Sequence, residues 1–422
     1  MSMRSRVLVG ASAVMLVALA GCSTKADTEG GATSGDLKVD VGVDDAAITL
    51  GVMTDISGVF KSNGLAATAG NQIWADEVNA AGGICEREII LDVKDHGYEA
   101  DNAVPLYEQT KSSVLGYVQL IGTPMLSALK TRMADEQVLA ATPTTGSNAL
   151  DTDSILPVAA TYDIEMINGL AYLMEQGLIS EGGKIGHIYL NSEPGENASA
   201  GAKHYADQHG IEILESPISA SDTDMTATVT KMVNEGVEAI LVMSAPATLA
   251  SVGLQVAGQN PGLPILGSSP TYATSLLANP GVVEALRDNY YVSTPIAPYG
   301  AIGVPAAEMV QEEYQELHPD EVPNPIVNLG YLSGLAWGGI LERACENGDL
   351  TRAGVLKARD EVTALDAQGL TGELDLSDPG ASPSNETFIE KLNPEVEGGL
   401  EIEEDLFGAT ELADYRTPFQ KD

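Results

Sequence analysis

Residues 48–54 read ITLGVMT, residues 65–80 follow as a helical pattern, and a second apolar run occupies residues 88–95. Short apolar runs bounded by polar residues are typical of buried strands, whereas the segment between them has the period of an amphipathic helix. Two strands joined through a helix form a βαβ unit, and its strands lie parallel in one sheet. This segment therefore predicts an α/β fold.

The same alternation continues through most of the chain. In the first half, predicted strands at 117–121 and 138–142 alternate with predicted helices at 100–113 and 125–135. After a helix at 162–176, a second run has strands at 184–190, 211–215, 239–243, 264–267 and 290–294, and helices at 198–209, 224–234 and 248–257. Helices at 305–316 and 327–346 follow, and the tail beyond residue 369 predicts short strands and surface loop. Two such runs predict two doubly wound parallel-sheet lobes, and about 375 residues are more than one core usually serves.

The first 22 residues have the features of an export signal. Arg4 and Arg6 precede an apolar run at 7–20, which is shorter than the roughly 20 residues that span a bilayer. The tetrad Leu19-Ala20-Gly21-Cys22 resembles the lipobox of bacterial lipoproteins, which implies cleavage before Cys22 and lipidation of that cysteine. Two or three acyl chains give lasting attachment, so we predict a chain anchored to the outer face of the cell membrane. The alternatives are an ordinary secretory signal and an uncleaved anchor.

Residues 22–46 predict a lipidated cysteine and a flexible tether, because Gly, Ser, Thr, Asp and Ala dominate and no hydrophobic period is present. Order is predicted to begin at about residue 47. Beyond it, Cys85 and Cys345 are the two remaining cysteines, and we predict that they pair, since disulfides persist outside the cytoplasm. A pair closing so long a loop stabilises by up to about 5 kcal/mol. The alternative is two unrelated buried thiols.

The net charge excludes one class of partner. Without residues 1–21 the chain has 19 basic and 61 acidic residues, a formal charge of −42. Nucleic acid is therefore not an expected partner, because phosphate contacts need basic patches. A solvated surface that keeps an exported protein soluble and an adaptation to high salt both explain such a charge.

Hydroxyl-rich segments follow the predicted strands, at the sheet edge where α/β folds bind ligands. These segments are residues 55–58, 96–98, 123–124 and 144–145 in the first half, and 191–193, 244–245 and 268–269 in the second. At Thr123 a hydroxyl and the free amides of a starting helix suit a carboxylate. The alternative is that Thr123 only caps its helix and that Thr144 and Thr145 only turn the chain.

Signatures of catalysis are missing from the sequence. No G-x-S-x-G or H-E-x-x-H motif occurs, and the five histidines have no metal-ligand spacing. We therefore predict no catalytic residue, no metal and no cofactor. An extracytoplasmic hydrolase is the weaker alternative to a binding protein, since no nucleophile is paired with a base.

Several strings together resemble type I periplasmic solute-binding proteins, the branched-chain amino acid and amide class that serves ABC importers. The matching text is Asp55-Ile56-Ser57-Gly58, Asn79-Ala80-Ala81-Gly82-Gly83-Ile84, Asp95-His96-Gly97-Tyr98, Gly122-Thr123-Pro124 and Thr145-Gly146. The resemblance covers about residues 47–370 and implies two lobes that enclose a solute and are joined by a three-segment hinge. It places crossings near Ala159, Pro295 and Leu370, with lobe 1 at 47–159 and 296–369 and lobe 2 at 160–295 and 370–422. Both cysteines then fall in lobe 1, which supports their pairing.

Carried over by position, the resemblance implies a ligand site. From lobe 1 it comprises Thr123, Pro124, Thr144 and Thr145 around a carboxylate, with Ser57, Phe60 and Tyr98 near the rest of the solute. From lobe 2 it comprises Glu193, Ser244, Ala245 and Ser269. Two positions depart from the family: Pro194-Gly195 replaces a Tyr-Gly pair, and Ser269 replaces the acid that holds an amino acid's ammonium. Glu193 is a candidate for the missing charge, and whether the solute carries an amine stays open.

The resemblance implies a monomeric receptor without cofactor that delivers a small carboxylate or amide to an ABC permease and ATPase. Branched-chain amino acids are the first hypothesis for the solute. The alternative on the same lobes is a ligand-sensing lipoprotein that signals to a membrane partner without transport.

Overall fold

The computed structural model describes residues 33–34, 37–58, 60–219, 221–320 and 323–419. The predicted signal peptide and Cys22 lie outside the described residues. The described strands are β1 (Thr33–Ser34), β2 (Leu37–Val39), β3 (Ala47–Thr54), β4 (Glu88–Asp95), β5 (Tyr117–Leu120), β6 (Ala140–Thr142), β7 (Ile155–Pro157), β8 (Lys184–Leu190), β9 (Glu212–Ile218), β10 (Ile240–Met243), β11 (Ile265–Ser268), β12 (Tyr290–Thr294), β13 (Asp349–Leu350), β14 (Thr387–Leu392) and β15 (Leu400–Phe407). The described α-helices are α1 (Lys61–Ala80), α2 (Ala100–Thr110), α3 (Thr123–Asp135), α4 (Tyr162–Glu175), α5 (Glu193–His209), α6 (Thr226–Asn234), α7 (Pro246–Gln259), α8 (Pro280–Leu286), α9 (Pro305–Leu317), α10 (Ile326–Glu346) and α11 (Arg352–Arg359).

The first sheet is parallel and has the strand order β4-β3-β5-β6-β7. Ile48, Leu50 and Val52 of β3 are fully buried against a core that includes Trp74 and Trp337. Helices cover both faces of such a sheet, which is why its strands read as continuous apolar runs. This sheet and its helices form lobe 1.

Helices α1 and α10 pack together on lobe 1 at glycines. A Cβ atom on Gly70 would lie 2.1 Å from the carbonyl oxygen of Val327, and one on Gly330 would lie 2.0 Å from that of Ala67. No side chain fits at either position. The two glycines therefore set how closely the helices approach.

The second sheet has the order β15-β14-β12-β11-β10-β8-β9 and forms lobe 2. Strands β9, β8, β10, β11 and β12 are parallel, and β14 and β15 add to them antiparallel. The tail thus contributes two full strands to lobe 2. An α/β fold of two parallel-sheet-rich lobes is confirmed, and the sequence-based limits of the lobes stay predictions. Near two of the predicted crossings, the amide of Ala297 donates to the carbonyl of Leu370 over 2.7 Å.

The ordered chain begins earlier than the sequence predicts. Strand β2 pairs in parallel with β13, and Val39 is buried in the lobe 1 core. Residues 37–46 are therefore not a free tether. Three residues are too few for a periodic signal, so only the tertiary pairing reveals this strand.

The predicted disulfide is confirmed. Cys85 and Cys345 are bonded, with Cα atoms 6.0 Å apart and a sequence separation of 260 residues. The bond ties the turn before β4 to the last turn of α10 within lobe 1.

Two helices begin four or five residues earlier than predicted. Helix α1 starts at Lys61 instead of residue 65, and α5 starts at Glu193 instead of residue 198. Pro194 stands in the first turn of α5, where its missing N–H has no intrahelical partner to lose. None of the described helices is long and apolar enough to cross a membrane.

Candidate functional site

A cavity of about 450 Å³ lies between the lobes. Loops after β3, β4, β5 and β6 line it from lobe 1, and loops after β8, β10, β11 and β12 line it from lobe 2. The carboxyl ends of both sheets thus face one space. Within the described ranges, no cluster of three His, Cys, Asp or Glu residues is suited to a metal ion.

The structure brings ten of the eleven predicted ligand-binding residues to this cavity. They are Phe60, Tyr98, Thr123, Pro124, Thr144, Thr145, Glu193, Ser244, Ala245 and Ser269. Ser57 is exposed and does not line the cavity. Asp55 Oδ1 accepts the Ser57 amide over 3.2 Å, and the Ser57 side chain hydrogen-bonds Asp95 instead of reaching the cavity. The ligand contacts of all eleven stay predictions.

Hydroxyl groups gather at the lobe 1 wall. The Gly122 amide donates to Thr144 Oγ1 over 3.0 Å, which joins the loops after β5 and β6. Gly122 has a φ of 101° and stands at the N-cap of α3, so Thr123 is the first residue of the helix and not its cap. The hydroxyl of Thr144 therefore holds the loop structure together, whereas Thr123 does not act as the helix cap.

An aromatic pair stands beside these hydroxyls. The rings of Phe60 and Tyr98 have centroids 4.5 Å apart, and burial, with a smaller contribution from Asp55, raises the pKa of Tyr98 to about 12. Asp55 itself is buried and accepts the Phe60 amide over 2.8 Å. Asp55 thus positions the loop that carries Phe60, and Tyr98 presents a protonated phenol at neutral pH.

The cavity wall carries two carboxyl groups and no described Lys or Arg side chain. Glu193 accepts a hydrogen bond from the Ser127 hydroxyl over 3.3 Å, across the lobes, and burial raises its pKa. Glu390 of β14 is buried, and burial raises its pKa well above the ordinary value. An anionic solute therefore meets hydroxyls and amides here instead of a counter-ion.

Behind the wall, Ser269 contacts an acid that the sequence analysis missed. Glu165 of α4 is fully buried and accepts hydrogen bonds from the amide and the hydroxyl of Ser269, at 2.9 and 2.8 Å. It also accepts the hydroxyl of Ser268. Glu165 does not line the cavity. Burial raises its pKa to about 8, so it is mostly protonated at neutral pH.

The comparisons with known proteins agree with this architecture. Residues 47–397 match the model of a family described as periplasmic binding protein, so the chain belongs to that family. A structure titled fatty acid ABC transporter substrate-binding protein, from Thermomonospora curvata, is 34% identical with a TM-score of 0.85. That similarity covers 90% of this chain and 97% of the other. Proteins of this family are solute-binding receptors that work outside the cytoplasm with ABC transporters.

More distant structures share the fold alone. A branched-chain amino acid ABC transporter protein from Thermus thermophilus, solved with valine, is 16% identical with a TM-score of 0.74, covering 87% of this chain and 98% of the other. A substrate-binding protein from Aeropyrum pernix is 14% identical with a TM-score of 0.75, covering 89% and 98%. No curated protein sequence matches the chain.

Proposed function

We propose that this chain is a lipid-anchored receptor of an ABC importer and that its solute is an aliphatic carboxylate of the fatty acid class. The observation that carries the proposal is the cavity, about 450 Å³ in volume with a largely apolar wall. An engineered cavity of about 150 Å³ already holds benzene. A solute that fills this cavity is several times larger than the side chain of a branched-chain amino acid.

The polar groups on lobe 1 suit the carboxylate end of such a solute. Thr123 and Thr145 line the cavity there, and α3 begins at Thr123. Hydrogen bonds to a charged group contribute about 1.5–3 kcal/mol each. Two or three of them hold a carboxylate without a buried basic residue.

An α-amino group fits this site less well than a plain chain. Burying an ammonium requires an ionised partner. The acid nearest Ser269 is Glu165, which lies outside the cavity wall and is held mostly protonated. The relative from Thermomonospora curvata, whose title names a fatty acid, also supports a solute without an amine.

Affinity follows from the number of buried methylenes. Each contributes about 0.8 kcal/mol, so eight contribute roughly 6 kcal/mol beside the carboxylate's hydrogen bonds. Association costs several kcal/mol. The balance gives micromolar or tighter binding, which suits a receptor that must release its solute to a permease.

The co-purified solute tests this proposal. Protein from a native membrane extract is denatured, and the released small molecules are identified by mass spectrometry against an extract of protein that was first unfolded, washed and refolded. We expect an aliphatic carboxylate in equimolar amount in the first sample only. An equimolar amino acid would contradict the proposal.

We further propose that Cys22 anchors the receptor and that it works as a monomer. The lipobox and the apolar run at 7–20 support the anchor. Intact mass of the membrane-bound protein tests it: we expect a chain that starts at Cys22 and carries acyl groups. A Cys22→Ser variant that stays in the membrane fraction would contradict the anchor, and light scattering that reports a dimer would contradict the monomer.

A further inference from the structure

Glu390 is a buried carboxyl group inside the proposed solute cavity. It lies on β14 between Val292 of β12 and Ile402 of β15, and only 1% of its surface is exposed. Its Oε1 atom has no hydrogen-bond partner among the described residues. Buried polar groups are nearly always hydrogen-bonded, so an unpartnered carboxyl oxygen on a residue that lines this cavity points to a partner from the cavity's occupant.

Two phenols close to Glu390, those of Tyr272 and Tyr290, are already hydrogen-bonded to other groups. The phenol of Tyr272 donates to the carbonyl of Gly398 over 2.8 Å. Thr271 donates its hydroxyl to the carbonyl of Ser268 over 2.6 Å, so the 2.9 Å contact between Thr271 and Tyr290 uses the phenol proton of Tyr290. Both phenols are close enough for Glu390 to raise their pKa, yet the protons of both point away from it. Neither phenol supplies Glu390 with a donor.

We propose that Glu390 is a specificity-determining residue that hydrogen-bonds an oxygen on the aliphatic part of the solute. The solute class is then a hydroxy- or oxo-substituted aliphatic carboxylate. This inference rests on the proposed function and narrows it. Lobe 1 would hold the carboxylate through its hydroxyls, and lobe 2 would recognise the second oxygen, so only a substituted chain satisfies both lobes.

The chemistry of the site favours a neutral oxygen over an ammonium. Burial raises the pKa of Glu390 well above its ordinary value, which favours the neutral carboxylic acid, a group with one donor and one acceptor. A hydroxyl or carbonyl oxygen matches that pair of functions. An ammonium would require an ionised Glu390 in a cavity wall that has no described Lys or Arg side chain, and the desolvation of such a pair is costly.

Isothermal titration calorimetry tests the inference. Protein that has been freed of bound solute by unfolding and refolding is titrated with decanoate and with its positional hydroxy isomers. In the wild type we expect at least one isomer to bind about tenfold more tightly than decanoate, the value of one well-placed hydrogen bond. The Glu390→Gln variant keeps a donor and an acceptor and should keep the preference. The Glu390→Leu variant should lose it and bind decanoate at least as tightly as the wild type does. Glu401→Gln, an exposed change on β15, serves as the matched control.

The outcomes separate this inference from the proposed function. If decanoate binds but no isomer binds more tightly, or if the preference survives in Glu390→Leu, the role of Glu390 is wrong and the receptor assignment stands. If neither decanoate nor any isomer binds, both are wrong. The comparison of decanoate with its hydroxy isomers uses wild-type protein alone. It can therefore contradict the inference even if the Glu390→Leu variant does not fold.

Discussion

The hydroxyl of Ser269 donates a 2.8 Å hydrogen bond to Oε1 of Glu165, a fully buried acid on α4. The amide of Ser269 donates to the other oxygen of the same carboxyl over 2.9 Å. The loop after β11 therefore contacts a buried acid through both the backbone and the side chain of Ser269. The Glu165 carboxyl does not line the cavity, so it stabilises the loop after β11 without adding a negative charge to the cavity wall.

Glu165 should make folding stability depend on pH. Its folded pKa is about 8, above the ordinary value of 4.5, because burial disfavours the carboxylate. Between these values the folded state binds more protons than the unfolded state, so stability falls as pH rises from about 4.5 to 8 and then levels off. Urea unfolding from pH 5 to 9 should show a smaller fall for Glu165→Gln than for the wild type. Glu175→Gln, an exposed change on the same helix, is the control. An equal fall of the unfolding free energy in Glu165→Gln and the wild type would contradict the raised pKa of Glu165.

The disulfide should contribute a large part of the stability of lobe 1. Removing both Cys85 and Cys345 by substitution with serine frees a loop of 260 residues in the unfolded chain, which the loop-entropy relation values at up to about 5 kcal/mol. The urea midpoint of the double variant should lie below that of the oxidised wild type. Under reductant, the wild-type midpoint should fall to the value of the double variant. Reductant should leave the double variant unchanged. An unchanged wild-type midpoint under full reduction would contradict this contribution.

The hydroxyl of Thr144 should matter for binding and for stability. In Thr144→Val the Gly122 amide loses its 3.0 Å acceptor, and the lobe 1 wall loses a polar group. We expect about tenfold weaker binding of decanoate and about 1 kcal/mol lower stability. Thr230→Val on α6 is the control, because Thr230 is half-buried, its hydroxyl donates to the carbonyl of Thr226, and it does not line the cavity. The gain in affinity per added methylene should be the same in the variant and the wild type. A changed gain would mean that Thr144 contacts the alkyl chain of the solute instead of its carboxylate.

The sequence predicts most of the fold because buried parallel strands are nearly continuous apolar runs, as in ITLGVMT at 48–54. The segments that line the cavity are predictable for the same reason, since they follow those runs directly. The predicted start of α5 at residue 198 is five residues late, although Pro194 suits a first helical turn. Strand β2 was missed because three residues carry no detectable period.

Inspection of the segments that follow predicted strands does not identify Glu165 or Glu390. Glu165 lies inside α4 and Glu390 on an antiparallel strand from the chain's tail, so neither stands in the segment directly after a parallel strand. Only the tertiary structure places Glu390 in the cavity wall and Glu165 against Ser269. Each acid stands next to apolar residues: Glu165 lies between Ile164 and Met166, and Glu390 follows Phe388 and Ile389. An acidic residue next to apolar residues in a predicted core segment is the sequence signal that could have identified these two acids.

The most direct test of the account is isothermal titration of the delipidated receptor with straight-chain alkanoates of increasing length, and with leucine, isoleucine and valine. The account predicts that the dissociation constant of the alkanoates falls by about fourfold for each added methylene until the cavity is full, because each contributes about 0.8 kcal/mol. It predicts no measurable binding of the three amino acids. Micromolar binding of leucine, isoleucine or valine with none of any alkanoate would contradict it.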